Sequence, residues 1–198
     1  MAHLEPRVRA RHCQDWLTHV EKEEEPWRSR FFERLTPELR GVIASSSRVG
    51  WLPLAVHVAL ADHLDAAFGA VRAHAFYRRV ATDWLTGPLL GPVLRTGARI
   101  LDVTPGTLLR WAHRAWEASF KDAGELAGEP TGPDRGRLVY RGLPPVCTAS
   151  MPWMASAQGS AYGVLDVIGF DGIVRLDTSE KSEGRMLIEL EWHPRNRT

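Results

Sequence analysis

The sequence contains little cysteine and almost no excess charge. Cys13 and Cys147 are the two cysteines among 198 residues, too few for a disulfide framework and without the spacing of metal ligands. A reduced, cytoplasmic setting is therefore expected. The formal net charge is +1, which argues against a broad surface for nucleic acid.

Long apolar runs are also missing. The longest, residues 49–60, contains Trp51, Pro53 and His57 and is too short to cross a bilayer. The first residues lack the apolar segment of a signal peptide. With 44% hydrophobic and 25% charged residues, the composition is that of a soluble globular protein. We expect no membrane span and one domain over residues 1–198.

The sequence lacks the common catalytic motifs. Residues 158–163 resemble a nucleophile elbow around Ser160, but Gly163 stands one place too far along the chain. Neither a phosphate-binding loop nor a dinucleotide fingerprint is found. Cys147 follows two prolines, which predicts an extended segment rather than an activating helix N-terminus. These absences predict a protein that is not an enzyme.

Helical periodicity dominates residues 7–123. Proline, glycine and capping residues predict helices over 8–25, 27–35, from Thr36 onward, 52–68, 71–85, 89–101 and 104–123. Gly124 is the expected C-cap of the last helix. Residues 124–136 are rich in glycine and proline, and we interpret them as a loop inside the domain.

Residues 137–193 show a different pattern. A strand is predicted over 137–142, a helix over 151–167, and a hairpin over 173–178 and 185–192. In the last strand one face carries Met186, Ile188, Leu190 and Trp192. The order of elements predicts an α+β fold that is mostly helical, with a small C-terminal antiparallel sheet packed on the helices.

The histidines of the first predicted helix are possible ligands for a metal ion. The first helix aligns four possible ligands along one stripe: His12, Asp15, His19 and Glu23. The same stripe is typical of the solvated border of an amphipathic helix, and further ligands are not evident. We favour the border and predict no metal site. His57 and His63, six residues apart, point in different directions and are not expected to form a site.

His113 lies on the helix that is best placed to line a pocket. Its position is at the flank of the Leu109 and Phe120 face, and one axial histidine is sufficient to hold haem. A border histidine that keeps its polar tip in water fits the sequence better.

Aromatic residues are abundant, with eight tryptophans in the chain. Large rigid rings can line a cavity for a small apolar ligand, or they can fill a core. Our preferred hypothesis places a pocket between the C-terminal sheet and helix 104–123. The proposed lining residues are Leu108, Trp111, Ala112, Trp116, Trp153 and Tyr162. In the alternative, the rings fill the core and an exposed helix face dimerises or binds a partner protein.

Four segments carry a resemblance to known proteins. They are residues 49–53 (Val-Gly-Trp-Leu-Pro), the turn region 97–105, residues 142–144 (Gly-Leu-Pro) and the final hairpin that ends at Trp192. In this order they resemble a large myxobacterial paralogous family, which is similar to haem-NO-binding, vinyl-reductase-type and Bet3-type trafficking domains. The resemblance implies a one-domain α+β sensor or binding module, with a buried pocket for haem or a hydrophobic ligand, and a homodimer.

One departure from that pattern concerns haem. Haem-NO-binding domains grip the haem propionates with a Tyr-x-Ser-x-Arg motif, whereas this chain has only Tyr140-Arg141 in a comparable region. We therefore expect no cofactor. The sequence as a whole predicts a non-catalytic small-molecule-binding or signalling module, and the alternative is a protein-interaction domain without a ligand.

Overall fold

A computed structural model describes residues 5–86 and 103–195 of the chain. The predicted helix over residues 89–101 lies outside them. The described part combines eight α-helices with two antiparallel sheets, which confirms the predicted α+β class. Within this part, none of the helices has both the length and the apolar character needed to cross a membrane.

The helices begin and end close to the predicted positions. They are α1 Ala10–Glu21, α2 Trp27–Arg34, α3 Pro37–Ser45, α4 Leu54–Phe68, α5 Ala70–Thr86, α6 Pro105–Ser119, α7 Pro145–Ala149 and α8 Met151–Ile168. Three of them start at a side-chain cap, in which Thr36, Thr104 or Ser150 accepts a backbone N–H three residues ahead. A 3₁₀ turn at Lys181–Glu183 completes the helical elements described.

An N-terminal sheet joins three short strands that we had assigned to helices. They are β1 Arg7–Arg9, β2 Trp51–Pro53 and β3 Phe120–Lys121, in the order β2-β1-β3. Val8, which pairs with Leu52 and Phe120, is fully buried. The helix assignment was wrong here because strands of two or three residues are too short to show an alternating pattern.

The C-terminal sheet has four antiparallel strands. They are β4 Glu125–Pro130, β5 Arg135–Arg141, β6 Phe170–Asp177 and β7 Met186–Pro194, in the order β4-β5-β7-β6. The hairpin of β6 and β7 is confirmed. One face of β7 is buried, as the alternation predicted, through Met186, Ile188, Leu190 and Trp192.

The predicted loop over residues 124–136 is wrong, because most of it forms β4 and the start of β5. A Cβ atom on Gly128 would lie 2.0 Å from the carbonyl oxygen of Leu109 in α6, and one on Gly136 would lie 2.3 Å from Leu109 Cδ1. These glycines therefore allow α6 to pack directly against the strands. Gly124 is not the C-cap of α6, which ends at Ser119; it turns the chain with a φ of 82°.

Glycine also brings α8 close to α5. A Cβ on Gly163 would lie 2.4 Å from the carbonyl oxygen of Arg78, and one on Gly159 would lie 2.8 Å from Tyr77 Cβ. This close approach fixes α5 and α8 side by side. Residues of both helices line the cavity described next.

Candidate ligand-binding site

A cavity of about 410 Å³ lies where α1, α4, α5, α6 and α8 meet the inner face of the C-terminal sheet. That volume is within the range of small-molecule sites. Its aromatic walls are Trp16, Trp84, Trp111, Trp116, Phe120, Tyr140 and Trp153. Its aliphatic walls include Val80, Leu85, Leu108, Leu109, Leu126, Leu138, Val164, Leu165 and Leu190. Most of the lining is therefore apolar.

The aromatic rings form a continuous wall. Trp116 stacks on Phe120 with ring centroids 4.1 Å apart, and Phe120 stacks on His12 at 6.0 Å. Tyr140 meets Trp116 edge to face at 5.4 Å. The indole N–H of Trp116 donates to the carbonyl oxygen of Gly124 at 3.0 Å, so this ring is held in place without a polar group of the ligand.

Five of the six predicted lining residues border this cavity: Leu108, Trp111, Ala112, Trp116 and Trp153. Trp111 is 54% exposed and therefore lies at the rim. The cavity extends beyond the predicted walls, because α1, α4 and α5 contribute lining residues in addition to α6, α8 and the sheet.

Tyr162, the sixth predicted residue, is not among the lining residues described. Its hydroxyl accepts the backbone N–H of Val174 in β6 at 3.1 Å, and its ring packs against His74. The cavity-facing positions of α8 include Ala157, Ala161 and Val164. Tyr162 follows Ala161 by one position, about 100° around the helix, and so points to a different side.

His113 does not reach the cavity either. The side chain is exposed on α6 and is not among the described lining residues. The structure therefore does not place His113 where it could hold a haem iron in this cavity. The two histidines that do line it are His12 of α1 and His57 of α4.

His57 is the most constrained polar group of the cavity. It is 5% exposed, packs on Trp16 with centroids 4.2 Å apart, and accepts the indole N–H of Trp153 on Nδ1 at 3.1 Å. Burial, and to a smaller extent the neighbouring His12, lower the pKa of its imidazole to about 3. His57 is therefore neutral at physiological pH.

His12 completes the polar region. Its ring lies 6.4 Å from that of His57, and its Nε2 is buried with no hydrogen-bond partner. Burial lowers the pKa of His12 to about 4, Arg11 lowers it as well, and Asp15 opposes them. Spacing along α4 relates His57 only to His63, whereas the histidine that lies close to His57 is His12 of α1. A pair formed between two helices cannot be predicted from the spacing within either helix.

The stripe of α1 is more buried than the predicted solvated border, because Glu23 is 8% exposed and Asp15 and His19 are only partly exposed. Arg48 donates to Asp15 at 2.6 Å, and His19 Nε2 lies 3.1 Å from Asp83. Glu23 accepts hydrogen bonds from two arginines of α5. Within residues 5–86 and 103–195, three or more histidine, cysteine or acidic side chains are nowhere grouped closely enough to hold a metal ion.

Both cysteines are buried. Burial raises the pKa of each thiol to about 12. Cys147 lies in α7 and not in an extended segment as predicted, because Pro145 occupies the first helical position, where its missing N–H is tolerated. Neither thiol is a nucleophile at neutral pH.

The lining residues that the structure describes do not fit haem. Its two propionates require cationic partners, but the charged residue of this lining is Asp15, a carboxylate. Arg141, the arginine of the partial propionate motif, is on the opposite face of β5 from Tyr140 and lies 3.8 Å from Glu129. The described lining therefore offers no cationic partner for the propionates of haem.

Comparison with solved structures shows which known fold the chain resembles. The Fe(II) unliganded H-NOX protein from K. algicida superposes with a TM-score of 0.60 at 8% identity, covering 96% of this chain and 100% of that chain. The IWP-051-bound H-NOX from Shewanella woodyi, in the Fe(II)CO ligation state, gives 0.54 at 11% identity, covering 96% of each chain. No family model and no curated protein matches the sequence. The predicted distant similarity to haem-NO-binding domains is thus supported at the level of fold.

Proposed function

We propose that this protein is a non-catalytic module that binds a small, neutral, largely apolar molecule in the cavity and acts as a sensor. The observation that carries the proposal is the cavity itself, about 410 Å³ lined mainly by aromatic and aliphatic side chains. Filled cores do not retain a space of this size, because close packing leaves few voids larger than a water molecule. The cavity therefore supports ligand binding over the alternative of a filled interaction domain.

The electrostatics of the lining favour a neutral ligand. His12 and His57 are uncharged at neutral pH because burial lowers the pKa of both. Asp15 already forms an ion pair with Arg48, at 2.6 Å. A charged ligand would lose its hydration without gaining a free counter-charge among the described lining residues, which is costly.

The similarity of fold supports binding of a small molecule but not of the same one. The Shewanella woodyi H-NOX carries IWP-051 and is in the Fe(II)CO state, whereas the lining here lacks partners for haem propionates among the described residues. Membership of the myxobacterial paralogous family, a homodimer and a cytoplasmic location remain predictions from the sequence and its resemblances.

The described lining groups also support a role without catalysis. Ser156 lines the cavity, but its hydroxyl donates to the carbonyl oxygen of Trp153 at 2.6 Å rather than to a histidine. Burial raises the pKa of Tyr140, so its phenol stays protonated. A nucleophile paired with a base, which acyl transfer requires, is not formed by these groups.

Titration with N-phenyl-1-naphthylamine, a neutral dye that fluoresces in apolar surroundings, tests the proposal. We expect saturable binding with one site per chain. Ala112→Phe places a ring in the cavity and should weaken binding at least about ten-fold, because the space is taken. Ala118→Phe on the exposed side of α6 is the matched control and should bind as the wild type does. Absence of saturable binding, or equal binding by both variants, would reject the proposal.

A further inference from the structure

The two cavity histidines, His12 and His57, supply its imidazole groups, and Nε2 of His12 is buried without a hydrogen-bond partner among the described residues. Trp153 has a donor only, so Nδ1 of His57 must be the acceptor of their 3.1 Å hydrogen bond. A neutral imidazole that accepts on Nδ1 carries its proton on Nε2. His57 therefore has an N–H donor at Nε2, which its hydrogen bond to Trp153 does not use.

His12 offers a second ring nitrogen that a ligand could hydrogen-bond. Its Nε2 is buried and has no hydrogen-bond partner among the described residues, which is unfavourable until a ligand supplies one. The two ring centroids are 6.4 Å apart. An oxygen atom that hydrogen-bonds both rings tolerates centroid separations up to about 8 Å, since each bond is about 2.9 Å long. One oxygen is therefore able to serve both rings.

We propose that His12 and His57 form a recognition site for a single hydroxyl group, and that the ligand is a flat, neutral aromatic alcohol or phenol. This inference rests on the proposed function and names its ligand class. The hydroxyl oxygen accepts from His57 Nε2, and the hydroxyl proton is donated to His12 Nε2. If His12 carries its own proton on Nε2, the same oxygen accepts from both rings through its two lone pairs.

The surrounding groups explain why a hydroxyl is preferred to other polar groups. A carboxylate would face two neutral imidazoles and the carboxylate of Asp15, with no cation in the described lining. A flat aromatic ring of the ligand suits the aromatic lining around the two histidines. The ring centroids of Trp16 and His57 are 4.2 Å apart, and those of Phe120 and His12 are 6.0 Å apart.

Three probes of similar shape test the inference on the full chain: 2-naphthol, 2-methylnaphthalene and 2-naphthoate. Calorimetric titration of the wild type should show that 2-naphthol binds about ten-fold more tightly than 2-methylnaphthalene, as two net hydrogen bonds predict. The anionic 2-naphthoate should bind more weakly than either. Tighter binding of 2-naphthoate than of 2-naphthol would overturn the inference.

The matched variants are His12→Phe, His12→Gln and His63→Phe. We expect His12→Phe to reduce the preference for 2-naphthol over 2-methylnaphthalene from about ten-fold to about three-fold, because the hydrogen bond from His57 remains, while binding of 2-methylnaphthalene is unchanged. His12→Gln keeps a polar group and should restore part of the preference. His63 is outside the described lining and bonds the carbonyl oxygen of Ala59, so His63→Phe should behave as the wild type. An undiminished preference for 2-naphthol in His12→Phe would overturn the inference.

The failures of the two proposals are distinguishable. If 2-naphthol and 2-methylnaphthalene bind the wild type equally, the cavity function stands and the hydroxyl site is wrong. If neither probe nor the naphthylamine dye binds, the proposed function itself fails. Should His12→Phe not fold, long-range ¹H–¹⁵N spectra of the wild type replace it. The Nε2 resonances of both histidines should then shift with 2-naphthol and not with 2-methylnaphthalene, and unchanged resonances would reject the site.

Discussion

The indole N–H of Trp153 donates to Nδ1 of His57 across 3.1 Å, joining two residues that are 96 positions apart. The bond connects α8 to α4 at the buried side of the cavity. It also fixes the imidazole proton on Nε2, the nitrogen that we propose meets the ligand. A structural contact between two helices thereby sets the chemistry of the site.

Trp153→Phe removes this donor and leaves His57 Nδ1 buried and unpaired. We expect the free energy of unfolding to fall by about 2 kcal/mol, from the lost hydrogen bond and the smaller ring. Urea denaturation measures the change. Trp111→Phe is the control, because Trp111 is 54% exposed and its replacement should change stability by less than about 0.5 kcal/mol. Equal effects of the two substitutions would contradict the buried role of Trp153.

Gly163→Ala tests the close packing of α5 and α8. The added methyl group would approach the carbonyl oxygen of Arg78 to 2.4 Å, and both helix backbones would have to move. We expect a loss of about 2 kcal/mol in unfolding free energy, measured by thermal or urea denaturation.

Gly41→Ala provides the opposite case on α3. Among the residues that the structure describes, no atom outside the local backbone of α3 lies within 4 Å of the Cβ that it adds. Alanine favours the helix, so this change should stabilise the protein by about 0.5–1 kcal/mol. If Gly163→Ala were also stabilising, the described packing of α8 on α5 would be incorrect.

Glu23 links α1 to α5 through Arg72 and Arg79. It is 8% exposed, and Arg72 donates to it at 2.9 Å. Glu23→Gln removes the charge from between two arginines and should cost about 2 kcal/mol in chemical denaturation. The neighbouring Glu24 also pairs with Arg72, at 3.1 Å, but its side chain is 73% exposed. Glu24→Gln should change stability by less than about 0.5 kcal/mol, and a larger loss than in Glu23→Gln would refute this account.

The two cavity histidines make stability depend on pH. Their pKa values are lowered from 6.5 to about 4 for His12 and about 3 for His57, so below pH 6.5 the unfolded chain takes up protons that the folded chain does not. Stability should therefore fall as pH decreases from 6.5 towards 4. The slope approaches about 1.4 kcal/mol per pH unit for each histidine.

Urea denaturation between pH 7 and pH 4.5 measures this dependence. His12→Phe removes one of the two groups and should flatten the slope of unfolding free energy against pH in that range. An unchanged slope would show that His12 is not held neutral by the fold.

Much of the fold was predictable because its signals are local. The helix starts at Thr36 and Thr104 and the alternating pattern of β7 are visible in short segments, and the structure confirms them. The sequence did not predict β4, because a glycine that allows close packing, as Gly128 does for Leu109 of α6, cannot be distinguished in the sequence from a glycine in a turn. The role of Gly128 depends on packing between elements that are distant in the sequence.

The site was predictable in part for the same reason. Positions on one face of α6, such as Leu108, Ala112 and Trp116, follow from helical periodicity, and they line the cavity. The pairing of His12 with His57 depends on how α1 packs against α4. The spacing of residues in the sequence does not predict that packing.

Native and denaturing mass spectrometry of the purified protein, with an absorbance scan of the same sample, shows whether the cavity holds a small molecule. After incubation with 2-naphthol, we expect the 22.2 kDa chain to carry one small molecule that is lost on denaturation and to show no haem band in the blue. A bare chain at every concentration of 2-naphthol, or a haem band with the corresponding added mass, would contradict this expectation.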